Sequence, residues 1–277
     1  MFSTFSAERF VPAVQAPLTG AEPAWWFAFS AGQLLWPEAA DAEFARQHEP
    51  TFARESAARH YLGTLGDVAC WALAVDAVPN GWRGLPLRAS LLSLPAPLAS
   101  LAGRAAQVLE WDRTHRHCGV CGTPTQRQAT ERARRCPACG QVAYPRLSPA
   151  MMVLVWRGRE LLLARSPQYS AGMYSALAGF VEPGESLEEC VVREVAEEVS
   201  VSIRNLRYYG SQSWPFPHSL MVAYTAEWAG GEIVPQADEI EAADWFGIDA
   251  LPIIPPRYSI AGHLIRDTVA AMSASST

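Results

Sequence analysis

Glu194, Glu197 and Glu198 fall within five residues of one another in the run "REVAEE". On a helix, Glu194 and Glu198 stand one above the other and Glu197 lies beside them. Like charges at that spacing cost roughly 0.2–0.5 kcal/mol per pair unless a cation lies between them. Clustered carboxylate oxygens are the ligands that Mg2+ or Mn2+ takes. A solvated, Glu-rich helix face has the same spacing, so on spacing alone both readings stand. Arg193, four residues before Glu197, can orient it through a carboxylate–guanidinium bond.

A second cluster is sulfur. Cys118-Gly-Val-Cys121 is followed, after fourteen residues, by Cys136-Pro-Ala-Cys139. Each pair precedes a glycine, Gly122 or Gly140, which permits the tight turn that aims two sulfurs at one point. Such paired knuckles read as a tetrahedral four-thiolate zinc site. Four thiolates leave no position for water, so this Zn2+ holds structure and does no chemistry. Arg113, Arg116, Arg127, Arg132, Arg134, Arg135 and Arg146 surround it; they could touch RNA, or form a solvated basic surface on a ribbon too small to fold without metal. Cys70 and Cys190 lie in apolar sequence and read as inert core residues.

Composition narrows the chemistry. The 277 residues include 22 Lys+Arg, all of them Arg. Without lysine, a phosphate-loop nucleotide hydrolase and Schiff-base catalysis are excluded. A phosphate grip must come from Arg, backbone N–H groups or metal. The formal net charge of −6 argues against a general nucleic-acid coat protein. No run reaches the roughly 18 apolar residues that cross a bilayer, and neither end reads as a targeting signal, so no membrane association and a cytoplasmic location are expected.

The elements that must position these groups follow from patterning. Residues 1–112 alternate short apolar runs with turn signals and read as an α+β domain. The stretch "LASLAGRAAQVLEWDRTHR" has helical spacing and leads out of it. Residues 113–146 form the zinc ribbon. In residues 147–277, "MMVLVW" and "LLLAR" flank "RGRE" as a hairpin. The acidic helix follows, with apolar Leu187, Cys190, Val191, Val195 and Val199 on one stripe and Ser186 with Glu189 as a capping box. Strands "LMVAYTAEW" and "EAADWF" and a helix "AGHLIRDTVAAM" complete a mixed α/β domain.

Gly179, Glu185 and "REVAEEVSV" together match the Nudix box, G-x5-E-x7-R-E-U-x-E-E-x-G-U, where U is aliphatic. The one departure is Ser200 in place of Gly, at a left-handed cap where Ser costs on the order of 1 kcal/mol. Ten residues on, "SQSWPFPHS" resembles the motif of the NADH pyrophosphatase branch of that family, as does a zinc ribbon just ahead of the box. The resemblance implies an α+β chain: an N-terminal Nudix-like domain, the ribbon, and a catalytic Nudix domain built as an α/β/α sandwich, paired as a homodimer.

It further implies catalysis by Glu194, Glu197 and Glu198. Its metal ligands are Glu194, Glu198, the backbone carbonyl of Ala178 and, six residues before Trp245, Glu239. Substrate binding maps onto Tyr144 and Phe180, onto Gln212, Ser213, Trp214, Pro215, Phe216, Pro217, His218 and Ser219, and onto Glu131 and Ala261. Arg88 joins them through a gapped alignment. Glu185 and Arg193 are the box's structural ion pair. The expected reaction is metal-dependent hydrolysis of NAD(H) to AMP and nicotinamide mononucleotide, and removal of an NAD cap from RNA. A Nudix-type sensor that binds nucleotide without cleaving it, or a zinc-ribbon RNA-binding regulator, are the alternatives.

Overall fold

A computed structural model describes residues 10–16, 23–39, 44, 46–56 and 58–274. They cluster into two compact units. One runs up to Arg146 and includes Pro215–His218; the other comprises Leu147–Trp214 and the residues from Ser219 onward.

The first unit holds strands β1 (Phe10–Pro12), β2 (Ala24–Ser30), β3 (Gln33–Pro37), β4 (Arg46–Gln47), β5 (Ala58–Leu65), β6 (Val68–Ala74) and β7 (Trp82–Pro86). The sheet order is β1-β5-β6-β2-β3-β7, with β4 also on β2, and β2 runs parallel to β6. Every residue of "AWWFAFS" in β2 is buried, as befits a central strand covered on both faces. Helix α2 (Ala96–Thr114) packs Leu98, Leu101, Ala105 and Val108, and α1 (Leu87–Ser93) packs Leu87, into one core with Phe27, Leu34 and Leu62 on one face. Trp26, Leu35 and Leu73 form a smaller core on the other. Three two-residue strands, β8 (Gln126–Arg127), β9 (Arg134–Arg135) and β10 (Val142–Ala143), make up the ribbon.

In the second unit β11 (Ser148–Arg157) and β12 (Glu160–Arg165) form the expected hairpin. They are followed by β13 (Leu177–Phe180), α3 (Leu187–Val199), β14 (Ser202–Trp214), β15 (Ser219–Gly230), β16 (Ala242–Gly247) and α4 (Ile260–Ala274). The order is β14-β15-β11-β12-β16, with β13 on β11 and β11 parallel to β15. Helix α3 buries Cys190, Val191, Val195 and Val199 against Met151, Val153 and Leu162. Helix α4 covers the opposite face with Ile260, Leu264 and Ile265. These three layers are the α/β/α sandwich.

The two sheets share one topology. Strand for strand, β5-β6-β2-β3-β7 with β4 on β2 repeats β14-β15-β11-β12-β16 with β13 on β11, down to the single parallel pair in each. The difference is functional. Between β13 and β14 stands the acidic helix α3, whereas between β4 and β5 the first unit has only a 3-10 turn, Thr51–Glu55. Among the described residues no helix is long and apolar enough to cross a membrane.

Candidate active site

Helix α3 starts where its sequence says it should. The Ser186 hydroxyl accepts from the Glu189 N–H, and the Glu189 carboxylate accepts from the Ser186 N–H, which closes the capping box. The helix stops at Ser200, which takes the left-handed conformation with φ 59°. Between these caps the periodicity places Glu194 and Glu198 beside the buried stripe. They are only 9% and 5% exposed, which rules out the solvated-face reading for these two side chains.

Burial above all, then the charges of Glu194 and Glu239, pushes the Glu198 carboxyl up to about 8, against a backbone hydrogen bond from Ala178. Burial also raises Glu194, against the neighbouring Arg193. Glu198 Oε2 is buried with no hydrogen-bond partner. A buried, partnerless carboxylate oxygen beside two further carboxylates is a donor set suited to a hard divalent cation. The three do not converge as tightly as the sulfurs; among the described residues only the four-cysteine group brings its ligand atoms within 4.8 Å.

Gly179 explains the first position of the box. A Cβ built there would meet the Glu194 carboxyl carbon at 1.9 Å, so the carboxylate lies across the space that any other residue would fill. Arg193 organises the rest. It donates from Nε and Nη2 to Glu185, from Nη1 to Glu197 at 2.9 Å, and from Nη2 to the Phe180 carbonyl. The Glu185–Arg193 pair forms as expected, and that guanidinium holds the Glu185 carboxyl down to about 2. Glu197 is drawn to Arg193 and is half exposed at 54%.

A cleft of about 470 Å³ opens onto Glu198. Its walls are Ser166, Gln168 and Tyr169 after β12, Leu177 and Ala178 of β13, and Asp238 and Glu239. Thus Ala178, Glu198 and Glu239 come together. Tyr169 carries no signal in the sequence: it lies in an aperiodic loop, and only its burial and its proximity to Glu198 mark it.

The expected substrate residues are placed variously. Phe180 and Tyr144 expose large aromatic faces, at 59% and 58%, and the Tyr144 hydroxyl donates to Glu131 at 3.1 Å. Trp214 stacks on Tyr258 at 6.1 Å with 11° between the planes. Arg88 lies over the Phe216 ring at 4.5 Å, so the weakly aligned arginine does meet the aromatic motif, while Phe216 packs on the core of the first unit. Pro215 packs against Gly103. Both ends of the Gln212 amide are engaged, Nε2 donating to the Tyr258 carbonyl and Oε1 accepting from the Ile260 N–H, so it braces the start of α4. Ser219 and Ala261 are buried at 5% each, Ser213 lies near the end of β14, and Pro217 and His218 follow in the turn.

In the ribbon, the sulfurs of Cys118, Cys121, Cys136 and Cys139 all lie within 4.8 Å of one another, and the pairs 118–139, 121–136 and 121–139 are 3.5–3.6 Å apart. Tetrahedral zinc with bonds of about 2.3 Å calls for roughly 3.8 Å, so the set fits the ion. Several surrounding arginines are engaged within the unit. Arg134 pairs with buried Asp112 at 2.6 Å and Arg113 with Glu110. Cys70 and Cys190 are buried thiols.

Residues 146–267 match the profile of the NUDIX domain, residues 23–111 that of the NADH pyrophosphatase-like rudimentary NUDIX domain, and residues 113–144 that of the NADH pyrophosphatase zinc ribbon domain. A Chromobacterium violaceum protein named NAD-capped RNA hydrolase NudC is 52% identical over 246 residues, covering 88% of this chain and 91% of its own. A Pseudomonas aeruginosa protein of the same name is 55% identical over 232 residues, covering 84% of this chain and 81% of its own.

Proposed function

The chain belongs to the Nudix hydrolase family, in the branch that joins a rudimentary and a complete Nudix domain through a zinc ribbon, and on that premise we propose that it hydrolyses the diphosphate of NAD(H) to AMP and nicotinamide mononucleotide and removes the NAD cap from RNA. The observation that carries this reading is Glu198, a buried carboxylate with a partnerless oxygen, beside Glu194 and facing a cleft.

Glu194, Glu198, Glu239 and the Ala178 carbonyl are the residues that would hold the divalent cation. Bound there, Mg2+ or Mn2+ supplies neutralisation of the diphosphate charge and a lowered pKa for water. The chain's own groups do the rest. Gly179 leaves room for the Glu194 carboxylate, and Arg193 keeps Glu185 and Glu197 in fixed positions. Glu198 takes the proton of the attacking water. The water oxygen bonds to phosphorus as the bridging P–O bond breaks, and the leaving phosphate carries away that electron pair. Exposed Phe180 offers a face on which a ring of the dinucleotide stacks.

The same reading includes a homodimer and a cytoplasmic setting, where reduced thiols suit a four-thiolate zinc site. Chromatography of NADH incubated with Mn2+ tests the reaction. AMP and nicotinamide mononucleotide are expected in equal amounts, and none after chelation. Tight NADH binding without AMP release would replace the hydrolase with a sensor.

A further inference from the structure

The cleft beside Glu198 has walls of the same charge as its substrate. Glu198, Asp238 and Glu239 are the charged residues that line it, and among the described residues no arginine or histidine does. The rest of the wall is apolar, apart from three neutral polar side chains, Ser166, Gln168 and Tyr169. A diphosphate brings further negative charge into this space. A divalent cation on the glutamates meets some of the phosphate oxygens, and those that point away from it need other donors. With no lysine in the chain and no arginine on the wall, the side chains that can donate are those neutral three.

All three belong to one turn just after β12. The Tyr169 N–H donates to the Ser166 carbonyl at 3.0 Å, and Pro167 stands at the second position, where its fixed φ favours such a turn. The Ser166 hydroxyl accepts from the Gln168 N–H at 3.4 Å. Paired backbone bonds between Ala164 and Ser175, at 2.9 and 2.8 Å, close the base of the loop. Gln168 is exposed, and the Ser166 side chain is short. Tyr169 has the reach to enter the cleft, and it lies half-buried in the wall.

The phenol is set up to donate. Burial raises its pKa above the ordinary 10, the Ser175 hydroxyl opposes that rise, and the charge of Glu198 adds to it, so the proton stays on at neutral pH. Ser175 is only 2% exposed, and its opposition is that of a donor to the phenol oxygen, which leaves the phenol's own proton to the cleft. Nor is that proton spent on Glu198 Oε2, which has no hydrogen-bond partner although Tyr169 shares its cleft. An arginine in the same place would pair with Glu198 or Glu239 and take the oxygens that the cation needs. A neutral hydroxyl leaves them free.

We propose that the Tyr169 hydroxyl donates a hydrogen bond to a non-bridging oxygen of the bound diphosphate, a neutral grip on phosphate in a cleft lined by carboxylates. This rests on the reading of the chain as a dinucleotide diphosphatase.

The test uses the full-length, zinc-loaded protein with Mn2+. It compares Tyr169→Phe, which removes the hydroxyl and keeps the ring, with Tyr169→Leu, which removes both. In Tyr169→Phe, KM for NADH should rise about tenfold, as the loss of a hydrogen bond to a charged group implies. The calorimetric Kd of imidodiphosphate, whose P–N–P bridge resists hydrolysis, should rise by the same factor, and Tyr169→Leu should match it. The kcat of Tyr169→Phe, its unfolding midpoint and its Mn2+ affinity, read by electron paramagnetic resonance without substrate, should stay at the wild-type values. Wild-type KM and Kd in Tyr169→Phe would overturn the proposal, and a loss seen in Tyr169→Leu alone would make the residue a stacking wall. Wild type that does not bind imidodiphosphate would overturn it too. So would a fall in kcat at unchanged KM, which puts the hydroxyl on Glu198, or a matching loss of Mn2+ affinity, which puts it behind the metal ligands. Wild type that leaves NADH intact would fail the diphosphatase reading instead, and the Kd of imidodiphosphate would still decide Tyr169.

Discussion

A methyl group on Gly179 would collide with the Glu194 carboxyl carbon at 1.9 Å. Gly179→Ala is therefore expected to displace Glu194 from the cluster, cutting turnover of NADH at least tenfold with little change in the far-ultraviolet circular dichroism spectrum. Wild-type turnover in that variant would remove Glu194 from the mechanism. Glu198 carries a second prediction. Glu198→Gln removes the group that takes the proton, and kcat should fall by about 10²–10⁴. Burial and two neighbouring carboxylates let Glu198 fold without a cation only by taking up a proton, a cost that glutamine avoids, so near neutral pH the chelated variant should melt at a higher temperature than chelated wild type. A lower midpoint would mean that the crowding at Glu198 is relieved in some other way. These glutamates were legible in the sequence because a helix turns spacing into proximity. Tyr169, which borders the same cleft, was not, because loops have no period and only the fold brings the walls together.

At the scale of elements, the caps of α3 could be read residue by residue: Ser186 and Glu189 at one end, Ser200 at the other. Ser200 sits at φ 59°, where glycine is at ease and serine is strained. Ser200→Gly should raise stability by up to about 1 kcal/mol in chemical denaturation and leave activity unchanged. What sequence did not reveal is how α2 meets the ribbon. His60 of β5, Asp112 of α2 and Arg134 of β9 are buried together, and such long-range polar networks leave no periodic trace. Burial lowers the His60 pKa below its ordinary 6.5, with Arg127 and Arg132 in the same direction and Asp112 opposing. A histidine depressed in the folded state binds its proton more readily when unfolded. Its contribution is therefore present above pH 6.5 and lost as pH falls below it. Thermal midpoints should drop between about pH 7 and 5.5, and His60→Gln should flatten that drop; an unchanged slope would place the sensitivity elsewhere.

The whole molecule repeats one sheet topology and puts the chemistry on one copy. The pattern of strands alone does not distinguish the copies; the length of chain between β4 and β5 does, since a five-residue 3-10 turn stands where α3 stands in the other. The ribbon's place in this scheme is structural in a way that cysteine spacing only half discloses. Spacing predicts four thiolates around zinc, but not that the ribbon's arginines complete the open edge of β5 by donating to the carbonyls of Arg59 and Tyr61. Ribbon strands of two residues each cannot hold that position without the metal. Stripping zinc with a mercurial and a strong chelator should therefore release about one Zn2+ per chain, lower the unfolding midpoint and expose an unpaired strand edge, which is a template for intermolecular pairing. Light scattering after stripping should rise with protein concentration. It should do so less in a variant carrying Tyr61→Pro, whose ring removes a backbone donor and disrupts the strand that would serve as template. Zinc-free protein that stays monomeric and melts at the wild-type temperature would show that the first unit's core, with Phe27, Leu34 and Leu62 under α2, closes the edge without the ribbon's help.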